Sequence, residues 1–405
     1  MYKTMSAYAK SSSGSADHVP KNYVRQTLVF PASTIGQFGS NQFSIWIRNS
    51  GNFRIHEIIL QFQCSALSIT GTDPSGNYPN MSPCPFWVQK YDIRVGGVSI
   101  EGQRLDFDQF VLNQILNTDE ERLAVNYAMG DYLSDASRLT QSSSQSDYYL
   151  PLKCFVSECN YPLINQNLEL EIQLTLAQLA NVANLASSGQ SAPNITINAI
   201  NALVHCTMLP TNIVNNMTTT LSSAKGGIHT FHRLVQQSYP FNSTGTAVIP
   251  MTLNGIVGPI EFLYFVVRPI SSLTNEGAWT SALPISSFYI NNSSGQNIVG
   301  GTPVYCRELQ LVLGKHWSLS SFFTEHYSGA NASNVYLYSW STDPISAILK
   351  GNFLSGYTFT GNEQLNITMA ANITSPVQVD VYCYKQSVMI QKINGVTVSD
   401  YVEKK

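Results

Sequence analysis

Apolar and polar residues alternate along most of this chain with the two-residue period of half-buried β-strands. Leu168, Leu170, Ile172, Leu174 and Leu176 alternate with Glu169, Glu171, Gln173 and Thr175. Val377, Val379, Val381 and Cys383 alternate likewise with Gln378, Asp380, Tyr382 and Tyr384. Each pattern predicts a strand with one face in a core and the other in water. The unbroken runs Ile58-Ile59-Leu60 and Phe262-Leu263-Tyr264-Phe265 predict strands covered on both faces. Turn signals lie between: Asp73-Pro74-Ser75-Gly76, Asn292-Ser293-Ser294-Gly295 and Asn394-Gly395. The last predicts a type I′ hairpin, in which both central residues take positive φ.

One stretch departs from the β pattern. Phe107, Phe110, Val111, Gln114 and Ile115 share a helical face, and Thr118-Asp119-Glu120-Glu121 forms a capping box ahead of Leu123, Ala124, Tyr127 and Ala128. This predicts a pair of short helices inserted between strands, with acidic first turns that suit the helix dipole.

The strand segments come twice, in one order. Gly51-Asn52-Phe53-Arg54-Ile55 leading into Glu57 to Phe62 is matched by Gly258-Pro259-Ile260 leading into Glu261 to Phe265. Tyr91-Asp92-Ile93 with Gly96-Gly97-Val98 is matched by Tyr289-Ile290-Asn291 with Ile298-Val299-Gly300. Leu168 to Ile172 is matched by Leu365 to Met369, and Ile195 through Cys206 by Val377 through Cys383. The offset is about 180 to 205 residues, the signature of a duplicated unit. Each half holds roughly eight strand candidates, the number in a jelly roll. Pro210 to Gly227 is rich in Thr, Asn, Ser and Gly with little periodicity and reads as a linker. The expected fold is all-β: two tandem eight-stranded jelly rolls with short helical insertions. The expected divisions are an N-terminal arm over 1–22, a first jelly roll over 23–209, a linker over 210–227 and a second jelly roll over 228–405.

Length and composition narrow the function. The 405 residues suit two domains, and 43% are hydrophobic, enough for a sizeable core. Only 12% are charged, against a typical ~25%, and Lys+Arg 22 against Asp+Glu 25 leaves a net charge of -3. That excludes a polybasic nucleic-acid binder, an acidic solvating tail and a charge-laced helical bundle, so no sequence-specific nucleic-acid binding is expected. The longest apolar stretch, Phe262 to Val267, stops at Arg268-Pro269, far short of the ~20 residues of a membrane span. Residues 1–22 lack an apolar signal core and carry only Lys3, Lys10 and Lys21 beside Tyr2 and Tyr8, too few cations for firm membrane or DNA binding. The seven cysteines are odd in number and form no Cys-x-x-Cys, so buried free thiols are expected rather than a disulfide framework.

Candidate chemistry is sparse. His229 and His232 are the closest histidine pair, but an i, i+3 pair on a strand points to opposite faces, and no carboxylate lies near them in sequence. Cys154 and Cys159 have no partner pair at zinc-site spacing. Asp106-Phe107-Asp108 and Asp119-Glu120-Glu121 lie at helix starts, where capping accounts for them without acid–base catalysis. Leu313-Gly314-Lys315-His316 lacks the remaining residues of a phosphate-binding loop, and no Gly-x-Ser-x-Gly elbow occurs. No catalytic, metal or cofactor site is therefore expected. Trp46, Trp87, Trp279, Trp317 and Trp340 suit a core or an interface, or a sugar-stacking groove. Among the Asn-x-Ser/Thr sequons, Asn242, Asn291, Asn292 and Asn331 lie in expected loops and are the candidate glycosylation sites.

The C-terminal half carries a further pattern. Tyr338-Ser339-Trp340, Asp343-Pro344, Gly351-Asn352-Phe353 and Leu365, then Val388-Met389-Ile390 before Asn394-Gly395, resemble double jelly-roll major capsid proteins of icosahedral double-stranded DNA viruses. Here the Asn follows the Gly directly, a departure from the usual spacing. Leu105 to Ala128 is similar to the helical insertion in that family's first barrel. The resemblance implies a non-enzymatic structural subunit of the virion capsid. It implies a homotrimeric, pseudo-hexagonal capsomer that meets neighbouring capsomers and minor capsid or penton proteins. It also implies that the arm 1–22 lies inside the shell against neighbours or an internal viral membrane; solvated disorder is the other reading. Two similar barrels in each of three copies give six similar wedges, which tile a shell with little strain. The second reading is a two-module jelly-roll lectin or spike-like receptor-binding protein; a carbohydrate-active enzyme is the third.

Overall fold

A computed structural model describes residues 25–39, 42–48, 51–67, 84–104, 108–115, 117, 119–130, 144, 146–164, 168–179, 194–273, 282–305, 334–341 and 356–400. The strands form four antiparallel sheets. In the first, Arg25–Pro31 (β1), Ile197–Met208 (β9), Phe53–Cys64 (β3) and Asp147–Leu152 (β6) lie side by side in that order. Pro162–Leu163 (β7) also pairs with β3. The second sheet runs Phe43–Ile47 (β2), Leu170–Leu176 (β8), Val88–Val95 (β4), Val98–Arg104 (β5). In the third, Gly227–Phe241 (β10), Val377–Lys392 (β18), Val257–Pro269 (β12) and Val335–Ser339 (β15) are neighbours, extended by Tyr357–Thr360 (β16) on β12 and Gly395–Asp400 (β19) on β18. The fourth runs Val248–Thr252 (β11), Gln364–Met369 (β17), Ile285–Asn291 (β13), Asn297–Gly301 (β14).

Adding nine to each label of the orders 1-9-3-6 and 2-8-4-5 gives 10-18-12-15 and 11-17-13-14. The two halves are one jelly roll built twice, and all four sequence correspondences fall on equivalent strands: β3 with β12, β4–β5 with β13–β14, β8 with β17, β9 with β18. Alternation fills each core from both sheets. Ile45, Ile47, Ile58, Leu60, Ile93 and Ile172 belong to the first core, where Trp87 meets Phe62 and Tyr148 edge-on at 5.7 and 4.6 Å. Leu263, Phe265, Ile290, Ile367 and Val381 belong to the second.

Asp108–Ile115 (α1) and Asp119–Ala128 (α2) are the two expected helices. The expected face of α2 is corrected: Ala124 and Tyr127 are exposed, while Val125 and Met129 pack on the first core and Asn126 is buried. Phe155–Glu158 (α3) is a single turn. Thr211–Ser222 (α4) forms a helix within the stretch of little periodicity expected as a linker. Its apolar residues Ile213, Val214, Met217 and Leu221 do follow helical spacing and pack with Ile164 and Leu209. Thr and Asn weaken the local helix signal, and the hydroxyls of Thr218, Thr219, Thr220 and Ser222 each donate to the carbonyl four residues back.

The expected type I′ turn at Asn394-Gly395 does not form. The β18–β19 ladder closes at Lys392 and Gly395, so Ile393 and Asn394 make the turn, and none of these residues has positive φ. That geometry sits at Gly96-Gly97 between β4 and β5, with φ 55° and 81°. Asp73 to Gly76, the arm 1–22, and Asp343 to Phe353 lie outside the described residues.

Candidate functional site at the joint between the two sandwiches

β3 and β12 each carry a bulge, His56 in one and Glu261 in the other, which fixes the alignment of the two halves residue by residue. Beyond the bulge β3 alternates buried and half-exposed residues, whereas β12 is buried on both faces from Ile260 to Arg268. The inward positions match: Ile58, Leu60 and Phe62 against Leu263, Phe265 and Val267. The outward positions do not. Glu57 faces His205 in a half-exposed polar contact at 3.4 Å, while the equivalent Phe262 and Tyr384 are rings stacked at 4.3 Å. Ile59 lies opposite Leu203; the equivalent Tyr264 and Tyr382 stack at 4.6 Å. Gln61 and Asn201 become Val266 and Asp380, the latter buried and bound to Arg268 at 2.5 Å.

This outer face is dry, and the first sandwich lies on it at Tyr264 and Tyr384, which Asp108 meets. Asp380, Tyr382 and Tyr384, expected on a wet face, are buried. Phe231, Met389 and Val396 of the second half join the first core, and Phe231 meets Phe155 with ring centroids 5.5 Å apart. Apolar burial supplies the bulk of such an attachment, at ~25 cal/mol per Å².

Within this dry joint lies a polar cluster. Asp108, the first residue of α1, accepts hydrogen bonds on one carboxylate oxygen from the Tyr264 hydroxyl at 2.7 Å and from the Tyr384 hydroxyl. Its role thus extends beyond the helix start to the second sandwich. Glu101 of β5 accepts the Phe155 backbone N–H at 3.1 Å. Glu158, at the end of α3, accepts the His232 backbone N–H at 2.7 Å and lies 3.3 Å from the ring Nδ1. The other ring nitrogen, Nε2, lies 2.8 Å from Glu261, which also accepts from Gln386 at 2.9 Å. Burial lifts the Glu101 carboxyl well above the usual range, and the nearby Glu158 adds to the rise. Burial raises Glu158 too, against the pull of His232. Burial pulls His232 down, but Glu158 and Glu261 outweigh it and hold its pKa up at about 10. His229 lies 3.2 Å from Gln391 with the Tyr161 ring beside it at 5.6 Å, and burial lowers its pKa to about 4.

The carboxylate partners of His232 lie 74 and 29 residues away, beyond the reach of a local reading; the only hint is that β12 lacks the outward polar positions of β3. Among the described residues no group of His, Cys, Asp or Glu is arranged to hold a metal ion, and no helix is long and apolar enough to cross a membrane. The six described cysteines are buried thiols that form no disulfide with one another. Asn242 is exposed in the β10–β11 loop. Asn291 is corrected from loop to the last residue of β13, paired with Asn297 and Gln364. Asn292 is engaged in the next turn, its side-chain oxygen accepting from the Ser294 and Gln296 N–H groups. Asn331 lies outside the described residues. Trp87 is fully buried, Trp46 and Trp340 are half-exposed, and Trp279 and Trp317 lie outside.

Two sandwiches of one topology, joined wall to wall in a single chain, define the double jelly-roll fold. Among solved structures, the fold is shared with PBCV-1 VP54, in a crystal structure fitted into a reconstruction of the virophage Sputnik. There the TM-score is 0.68 at 16% identity, over 96% of this chain and 100% of that one. The Faustovirus major capsid protein gives 0.67 at 8% identity, over 94% and 93% of the chains. The mavirus major capsid protein gives 0.54 at 12% identity, over 96% and 92%. No family model and no curated protein sequence matches the chain.

Proposed function

We propose that this chain is a major capsid protein: a structural, non-enzymatic subunit of an icosahedral double-stranded DNA virus shell, located in the virion. The support is a fold shared end to end with viral major capsid proteins, at 92% or more of each of those chains. The subunit assembles as a homotrimer whose six sandwiches form a pseudo-hexagonal capsomer. One observation carries the trimer. The outer face of the β10-β18-β12-β15 sheet is buried, with the first sandwich on it at Tyr264 and Tyr384, whereas the equivalent β1-β9-β3-β6 face presents half-exposed Glu57, Gln61, Asn201 and His205. A head-to-tail contact with one end left open continues from copy to copy until the ring closes. In this reading the second sandwich of one copy covers the first of the next, and neighbouring capsomers and penton or minor proteins meet the outside of the ring. The arm 1–22 reaches inward, to neighbours or an internal membrane, and the exposed Asn242 is the most accessible of the described candidates for glycosylation.

Native mass spectrometry tests the trimer. The expected result is a trimer of the 44.6 kDa chain, reduced to a folded monomer by Glu57→Lys with His205→Glu. A wild-type chain that stays monomeric at micromolar concentration refutes the assembly.

A further inference from the structure

A neutral imidazole has one donor and one acceptor nitrogen. His232 places both ring nitrogens against carboxylates, Nδ1 at 3.3 Å from Glu158 and Nε2 at 2.8 Å from Glu261. Two carboxylate acceptors call for two N–H donors, which only the imidazolium has. The partners also come from different sandwiches: Glu158 ends α3 on the first, while Glu261 is the bulge residue of β12 on the second. All three side chains are at least 92% buried, so water cannot take the place of a lost donor. We propose that the joint between the two sandwiches is a proton-operated clasp: protonated His232 ties Glu158 to Glu261, and loss of its proton to base releases the joint while each sandwich stays folded.

The surroundings favour this. Glu261 Oε1 is buried without a hydrogen-bond partner, so the Glu261 charge rests on His232 and Gln386. From β5, Glu101 lies near Glu158, with Asp108 beyond it on α1, and burial favours the uncharged form of Glu101. Half-buried Arg233, on the other side of β10, is a cation that opposes that rise. His229, the next titratable group toward the start of β10, is held neutral near pH 7 by burial and adds no charge. When His232 gives up its proton, carboxylates remain in a dry space with one N–H to share between two of them. Each is then better solvated by parting.

The protein carries its own reporters. Cys154 and Cys159 flank α3, whose Phe155 and Glu158 meet β10 at the joint; both belong to the first core, as does Cys64, whereas Cys383 lies inside the second. Alkylation of the full-length chain, with each site quantified by peptide mass spectrometry, gives the labelling of Cys154 and Cys159 relative to Cys383 and Cys64. A ratio cancels the common dependence of thiolate reactivity on pH. The expected ratio rises at least ~10-fold between pH 7 and 10.5 in the wild type. With Glu261→Gln the rise starts about 1–2 pH units lower, because one of the charges that favours the imidazolium is gone. With His232→Gln the ratio is high and flat at every pH; if that variant does not fold, Glu261→Gln alone decides. A flat wild-type ratio, a Glu261→Gln profile that overlies the wild type, or Cys383 and Cys64 rising in step overturns the clasp.

Discussion

Asp108 offers a sharp test of how the two sandwiches are held. Its carboxylate takes hydroxyl bonds from Tyr264 and Tyr384, both buried on the outer face of the second sandwich. Asp108→Ala leaves two buried hydroxyls without that acceptor, at about 1–3 kcal/mol each. It also removes an acidic group from the first turn of α1, about 0.3–1 kcal/mol. The expected loss is therefore about 4 kcal/mol, a large part of the ~5–15 kcal/mol that holds a typical domain. If orphaned hydroxyls are the cause, removing them restores stability. The triple variant Asp108→Ala, Tyr264→Phe, Tyr384→Phe is expected within about 2 kcal/mol of wild type, since deleting all partners of a buried hydrogen bond is nearly neutral. Urea unfolding, followed by fluorescence and far-UV circular dichroism, measures both. A loss under ~1 kcal/mol for the single variant, or a triple variant no more stable than the single, refutes the reasoning.

His229 and the glycines give two further predictions. His229 has its pKa lowered to about 4 from 6.5, so the native state binds fewer protons than the unfolded chain between those values, and stability falls as pH drops through that window. His229→Gln, which retains a partner for Gln391, is expected to remove about 3 kcal/mol of that acid-side loss, read as the difference between variant and wild-type urea midpoints from pH 7 to 4. Gly258 has φ 106°, and a Cβ there would meet Lys385 Cδ and Asp400 Oδ2 at 2.9 Å, in side chains that form an ion pair through other atoms. Gly258→Ala is expected to cost about 2 kcal/mol, whereas Gly97→Asn, with open space and a φ that Asn tolerates, costs under ~1 kcal/mol by the same denaturation.

The duplication was legible because its evidence is local: alternation within a strand and small polar residues at turns survive in both halves. The order of matched segments then supplied the topology. What a strand faces is not local. Val377 to Tyr384 alternates as a half-wet strand, yet its second face is buried, at Tyr384 against Asp108 of the first half. Phe262 to Phe265 did announce burial on both sides, and set against Glu57 to Leu60 in the first repeat it locates the covered wall. The joint itself was hidden because Asp108 and Tyr384 stand 276 residues apart. The helix α4 was missed because Thr and Asn masked the spacing of Ile213, Met217 and Leu221.

The covered wall of the second sandwich bears on how the chain is made. On its own, that half presents Phe262, Tyr264, Val266, Tyr382 and Tyr384 as one contiguous adhesive surface. Translation delivers β1 through β9 before the first of these rings leaves the ribosome, so the half that shields them is already available. Reversing the gene order of the halves, even with every final contact preserved, would send the sticky wall out first and leave it to find other nascent chains.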